Sequence, residues 1–482
     1  MNLANHTRWP LALAAVAALA ALARLGAALL VWGALPEGFL LNADSAEYHR
    51  QALILAGLAP GSLPAVFGLS PLTVAWGGLW HALLGPGVFA VIGPQIVLGA
   101  GTAVLAADVG RRVSGRAAGI AAGLLAGLCG PLIFNDVAIM AEPLAAFLAI
   151  AVALAALVVG DRPTADRLAL LGLVTGLLAI CRPNLALLLP VGLAIAVVAA
   201  GRAAPDGGRR PGPALAALLF LAAATLPVAP VTASNLARSG AFVPVTAGAG
   251  MNLFLGNHQG STGRLKPVFG ARTAAELYRA FQQKAESATG RELDPAEISR
   301  FWIAATGREI ADDPARFARL LGKKIVYGLN DFEVPDNWDL PFIGQRLPLP
   351  LHRLPGFGLL FPLGLLGLVL LWRGGPPGTR MLHGIAAAAF LTMLLFFVSG
   401  RYRTPALPVL AVGSGHALVW LAWQFASLKA ADPAIRRAGA RKAMLAGLAL
   451  AALAVFAHLP VLESRHDLEG QRLDSFRSHG KP

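Results

Sequence analysis

Runs of about 18 to 25 apolar residues recur along the whole chain, and no other feature restricts its folding so strongly. A helix rising about 1.5 Å per residue needs about 20 of them to cross a hydrocarbon layer about 30 Å thick. Inside that layer every backbone amide must find its partner within the chain, which selects helices over open sheets. With 56% hydrophobic and 14% charged residues over 482 positions, the chain is too apolar for a water-soluble protein and too long for one buried core. The expected class is an all-α polytopic membrane protein.

Charge orients the runs. A net charge of +14 would suit a nucleic-acid binder, but the basic residues sit between spans, so nucleic acid is not an expected partner. Arg8 keeps the start of the first span, residues 10–33, in the cytoplasm, and apolar residues continue past Arg24, so this segment reads as a retained signal anchor. About eleven spans follow from the pattern: 10–33, 88–109, one ending near 134, one ending near 161, a two-span hairpin over 168–200, 213–232, 356–372, 381–398, 405–425 and one ending near 460. The segments assigned inside carry Arg111, Arg112 and Arg116, then Arg202, Arg209 and Arg210, then Lys429, Arg436, Arg437, Arg441 and Lys442. The first outer loop has Arg50 alone. This topology belongs to the cytoplasmic (inner) membrane.

Residues 1–232 form an N-terminal membrane module, 233–350 a small, mainly helical extracytoplasmic region, and 351–482 the C-terminal spans with an outer tail. The first outer loop, 34–87, is broken by Pro and Gly and holds two amphipathic patterns, 43–58 and 70–84, read as helices lying on the outer membrane surface. In the extracytoplasmic region a glycine-rich loop, 248–261, precedes helices announced by Asp294-Pro295-Ala296-Glu297 and Asp313-Pro314, each an N-cap followed by proline.

Acids are scarce: between Met1 and Ala100 only Glu37, Asp44 and Glu47 occur. On this topology Asp44, Glu47, Asp136, Glu142, Arg182, Arg401 and Arg403 reach one face from segments far apart in sequence, and ionisable groups at a membrane boundary mark function. A carboxylate serves as general base toward a hydroxyl or amine, while arginines hold a phosphate that gathers charge as it leaves. The set suits group transfer from a phosphate-linked lipid.

Plainer readings stand beside this one. Asp44-Ser45-Ala46-Glu47 also fits an N-cap with an acid three positions on, and Glu47 is then the cap partner or an orienter of the base. Glu142 before Pro143 also suits the start of a span, Arg182 a lipid-headgroup contact, and Arg401 and Arg403 an interfacial anchor around Tyr402. Arg24, mid-span, either finds a partner inside the bundle or snorkels along its own helix. The glycine-rich loop lacks the Gly-Lys-Ser ending of a nucleotide cradle, and its Asn252 and Asn257 are expected to touch donor or acceptor. Cys129 and Cys181 lie in apolar segments and His49 has no second histidine at metal spacing, so neither a disulfide framework nor a metal site is expected.

Several of these motifs carry a family resemblance: Asp44 and Tyr48 in the first outer loop, Glu142-Pro143 opening a span, Arg182-Pro183 at a helical bend, the glycine-flanked stretch from Asn252 to Asn257, and Arg401-Tyr402-Arg403 before a proline-bearing span. In this order, over about residues 10–425, the chain resembles the polytopic GT-C glycosyltransferases. The branch it is most similar to is glycosyltransferase family 39, with the protein O-mannosyltransferases and lipid A aminoarabinose transferases. The resemblance implies the GT-C fold and a sugar donor carried on a polyprenyl phosphate. It further implies transfer outside the cytoplasmic membrane, with inversion, to an acceptor protein, lipid or envelope glycan. It makes Asp44 the first-loop base, Glu142 the second-loop acid and Arg182 the cation near the lipid phosphate, with Tyr48, Arg401, Tyr402 and Arg403 as further contacts; Asp136, placed on the same face by the topology, is a further expected substrate contact, and no cofactor is expected.

The chain departs from the family where Ser45 follows Asp44 and where a His-Pro-Pro or Lys-Pro signature is reduced to Ser70-Pro71. Trp338-Asp339 is only a fragment of the Trp-Trp-Asp motif of metal-dependent oligosaccharyltransferases. The competing classes are a lipid or sugar-lipid flippase, which calls for internal repeats or paired charges at mid-depth, and a non-catalytic scaffold of the same fold.

Overall fold

The computed structural model describes residues 3–34, 41, 43–202, 210–266, 268–271, 274–337 and 353–460. The expected inner loop around Arg209, the Trp338-Asp339 pair and the outer tail beyond 460 lie outside the described residues.

Long apolar runs fold as helix throughout, and among the described residues no strand forms beyond one bridge between Arg264 and Val398. The first half comprises α1 (Leu3–Ala34), α2 (Ala43–Leu55), α3 (Pro71–Leu84), α4 (Phe89–Ser114), α5 (Arg116–Gly127), α6 (Gly130–Asp136), α7 (Glu142–Asp161), α8 (Ala165–Cys181), α9 (Leu188–Ala200) and α10 (Pro213–Ser239). After them come α11 (Ala249–Asn257), α12 (Ala274–Thr289), α13 (Pro295–Asp312), α14 (Pro314–Leu329), α15 (Phe357–Gly374), α16 (Arg380–Leu395), α17 (Leu407–Ser427) and α18 (Pro433–Ala457). Among the described residues nine helices are long and apolar enough to cross a membrane, and the bent pair α5 and α6, 54° apart, makes up a tenth. The protein is an all-α, multi-pass membrane protein. The remaining one of the eleven expected spans, the first of the 168–200 hairpin, corresponds to α8, whose 17 residues rise about 25 Å, short of a full crossing.

Both amphipathic patterns of the first loop are helices, ending within a few residues of the expected limits. Ser70 caps α3 by accepting a hydrogen bond from the Thr73 N–H at 3.2 Å, with Pro71 in the first turn. The start signals of the polar region also hold: Asp294 and Glu297 complete a capping box, and Asp313 accepts from the Arg316 N–H at 2.8 Å.

The glycine-rich stretch departs from expectation. Residues 249–257 form the helix α11 rather than a loop, and the glycines serve close approach. A Cβ at Gly250 would lie 2.1 Å from the Ser299 carbonyl oxygen, and one at Gly256 only 1.7 Å from that of Phe396. Glycine here lets α11 lie against α13 and the end of α16, a use of the residue that composition does not distinguish from turn formation.

Candidate active site

Asp44 lies in the first turn of α2, and Tyr48, one turn on, shares its face. Tyr48 is buried, and its hydroxyl accepts a hydrogen bond from the Ser70 N–H at 3.1 Å, which fastens α2 to the start of α3. Burial pushes the Tyr48 phenol up to about 12, so it stays protonated. Burial also acts to raise Asp44, but the charge and hydrogen bond of Arg401, aided by the Asn337 amide and the charge of Arg182, outweigh it and hold the carboxyl below its ordinary value.

Arg401 comes from a 3-10 turn, Gly400–Ala406, between α16 and α17. Its Nη1 donates to Asp44 Oδ2 at 2.7 Å, and its Nε meets Asp336 Oδ2 at 2.6 Å. One guanidinium thus joins two carboxylates drawn from distant parts of the chain. With about three residues per turn, side chains two apart in such a helix point to different sides, and Arg403 accordingly turns away. Its guanidinium donates to the backbone oxygens of Asn330 at 2.5 Å and Phe332 at 3.0 Å and pairs with Glu333 at 2.9 Å. These contacts, with the Gly400 N–H on the Val334 oxygen, lay the 330–337 segment along the turn and bring Asp336 and Asn337 to the site.

Arg182 stands where α8 ends, extended as a residue before proline prefers. It forms an ion pair with Glu142, which opens α7 and is fully buried. The Tyr402 ring lies beside both guanidinium groups, 5.7 Å from Arg182 and 5.8 Å from Arg401. Behind Arg401 a small cavity of about 50 Å³ is lined by Asn135, Met140, Glu333, Asp336, Asn337 and Ser399. A larger apolar cavity of about 860 Å³ lies along α15 and α16 and reaches Arg403.

The structure therefore gathers Asp44, Tyr48, Glu142, Arg182, Arg401 and Tyr402, and separates other residues expected beside them. Glu47 is engaged along α2 instead, bonded to Arg50 at 2.6 Å and Gln51 at 2.6 Å. Asp136 points into the bundle and meets Arg24 at 2.5 Å, answering the mid-span charge with a partner rather than snorkelling. Arg24 also donates to the backbone oxygens of Gly127 at 2.7 Å and Ala20 at 3.1 Å, and glycine at 99 leaves room for the pair. Asn257 is consumed by structure: its Oδ1 accepts from the buried Lys324 Nζ at 2.7 Å, and its amide donates to Leu253 and Leu395 oxygens. Asn252 is half-buried in the first turn of α11.

Asp336, Asn337 and Glu333 were not among the residues expected from sequence. Their one signal there is local density of charge, Asp331, Glu333 and Asp336 falling within a few positions in a chain poor in acids. His81 was missed as well: its Nε2 lies 3.2 Å from His49 Nδ1, across the α2 and α3 contact. Among the described residues no three His, Cys, Asp or Glu side chains converge as metal ligands.

No protein-family model and no curated protein matches the chain. Among solved structures it is similar to the oligosaccharyltransferase of Archaeoglobus fulgidus in the apo form, with 14% identity and a TM-score of 0.49 over 98% of this chain and 60% of that one. It is similar also to ArnT from Cupriavidus metallidurans in the apo state, with 14% identity and a TM-score of 0.46 over 90% and 73% of the two chains. A further structure of the archaeal enzyme, in complex with an inhibitory peptide and a dolichol-phosphate, gives 15% identity and a TM-score of 0.47 over 98% of this chain and 60% of that one. The chain thus spans about 60% of the length of the oligosaccharyltransferase. Likeness at this level assigns no role to any residue here.

Proposed function

We propose that the protein is an inverting GT-C glycosyltransferase that moves a sugar from a polyprenyl phosphate to an acceptor protein, lipid or envelope glycan outside the cytoplasmic membrane. The observation that carries this reading is the Asp44 carboxylate, partly open to solvent, kept ionised by Arg401 at 2.7 Å, with the Arg182 charge beside it. An ionised carboxylate takes the proton of an attacking hydroxyl or amine, and the new bond forms at the anomeric carbon as the bond to the phosphate oxygen breaks. The departing phosphate keeps the bonding electrons, and Arg182 and Arg401 meet that charge with preorganised donors. Arg403, bound to the backbone oxygens of Asn330 and Phe332, serves instead to set the position of Asp336. The apolar cavity that reaches Arg403 offers room for the isoprenoid chain.

Incubation of the purified protein with labelled polyprenyl-phosphate sugars and an envelope extract tests the reading. Asp44→Asn is expected to lower transfer by about 10²- to 10⁴-fold, with the melting temperature close to that of the unaltered protein. Full transfer by that variant would remove the base and with it the mechanism.

A further inference from the structure

Charge does not balance at this site. Asp44, Asp336 and Glu142 set three negative charges against those of Arg182 and Arg401, and the neighbouring Glu333 is matched by Arg403. Arg182 is committed to Glu142, and Arg401 offers one edge to Asp44 and another to Asp336. A phosphate that approached this arrangement would meet a net negative cluster, so one carboxylate must give way. Asp44 is not suited to that part, because a base must remain ionised.

Asp336 differs from it in every relevant respect. Its side chain is 5% exposed against 21% for Asp44. It faces the small cavity, of about 50 Å³, where a few water molecules fit and where Glu333 and Asn337 also point. The groups around it are Arg401 and Tyr402 from the Gly400–Ala406 turn, Ser399 before it, Asp44 from α2, Arg182 at the end of α8, and Glu333 from its own segment. Among the described residues only Arg401 makes an ion pair with it. Burial, against the pull of Arg401, raises its carboxyl above the ordinary value.

Resting on the function proposed above, we infer that Asp336 is an exchangeable counter-ion: it neutralises Arg401 while the site is empty, and takes up one proton when a lipid phosphate replaces it on the guanidinium. The balance is simple. The carboxylate gains a proton from solvent through the cavity, Arg401 keeps its charge, and no covalent bond of the ligand changes. Asp336 is thus a positioning residue that acts through Arg401, and it makes binding of the lipid dependent on pH.

The test uses the full-length protein in detergent and the methyl ester of a polyprenyl phosphate, a phosphodiester whose single charge does not titrate near neutrality. Calorimetry in buffers of different ionisation enthalpy counts protons taken up on binding. The unaltered protein is expected to take up about one, and its affinity to fall by up to about tenfold per unit rise of pH while Asp336 is ionised in the free protein. Asp336→Asn, which imitates the protonated acid, is expected to bind at least as tightly, take up none and show a flat pH profile. Asp336→Glu, which retains the charge, is expected to restore the uptake. Equal uptake by the asparagine variant, or a count of zero in the unaltered protein, overturns the counter-ion role while leaving the glycosyltransferase reading intact. Absence of any binding by the unaltered protein, together with no transfer from labelled donor, overturns both.

Discussion

At the scale of single residues the site is governed by what surrounds each carboxylate. Asp44 is held below its ordinary value of 3.8 because Arg401, Asn337 and Arg182 outweigh its burial, so its negative charge persists as pH falls through neutrality and into the acid range. Its contribution to stability is present above the unfolded value and lost only as pH falls through the lower folded one. At saturating donor the transfer rate should therefore hold a plateau from neutrality down past the ordinary carboxylate value of about 4 and decline only at more acid pH. In Arg401→Gln burial faces much weaker opposition, and the acid limb of the rate profile is expected to move to higher pH. A pH-rate series on the two proteins measures this, and coincident limbs would show that Arg401 does not tune the base. Residues of this kind were legible in the sequence when scarcity exposed them: an acid in the long acid-poor N-terminal stretch, an arginine at a short bend. Asp336 was not, because the 330–337 segment has no periodicity and is laid along the site by contacts distant in sequence, among them the hydrogen bonds from Arg403 and Gly400 to its backbone.

At the scale of elements, the spans and caps follow from length and local chemistry and could be placed within a few residues. The use of glycine could not. Turn and close contact place the same residue in the same composition, and only the neighbour across the interface tells them apart. Gly256→Ala would drive a methyl into the Phe396 carbonyl, with 1.7 Å available, and is expected to cost upwards of about 1–3 kcal/mol as α11 is forced off the end of α16. Gly248→Ala, whose Cβ would meet only the Asn252 amide at 3.6 Å, should melt close to the unaltered protein. Thermal unfolding of the two in detergent makes the comparison, and equal melting temperatures would refute the packing role. Lys324 fixes the same junction from another side. Its Nζ donates to Asn257 Oδ1 and to the Leu394 and Phe396 oxygens, three acceptors that match the three donors of an ammonium, although burial pulls its value down to about 7. The His49 and His81 contact escaped notice for the opposite reason, since histidines 32 positions apart show no spacing that helix geometry would pair.

At the scale of the whole molecule, orientation rests on the distribution of Arg and Lys between spans, and it can be read directly. Cys129 and Cys181 are both buried, which leaves a quiet background for thiol labelling. Arg50→Cys, at an exposed position of α2, is expected to react with a membrane-impermeant maleimide in intact cells, and Lys429→Cys only after permeabilisation. The reverse pattern would put Asp44 in the cytosol and end the proposed chemistry. On the expected topology, two far-flung segments meet at Tyr402, whose ring flanks the guanidinium groups of Arg182 and Arg401 alike. A flat, stiff plate sets the interval between two flexible cationic arms that would otherwise drift apart by mutual repulsion. The disorder those arms would surrender on grasping a ligand has already been given up during folding, so each encounter with a lipid headgroup begins with the hand already half closed.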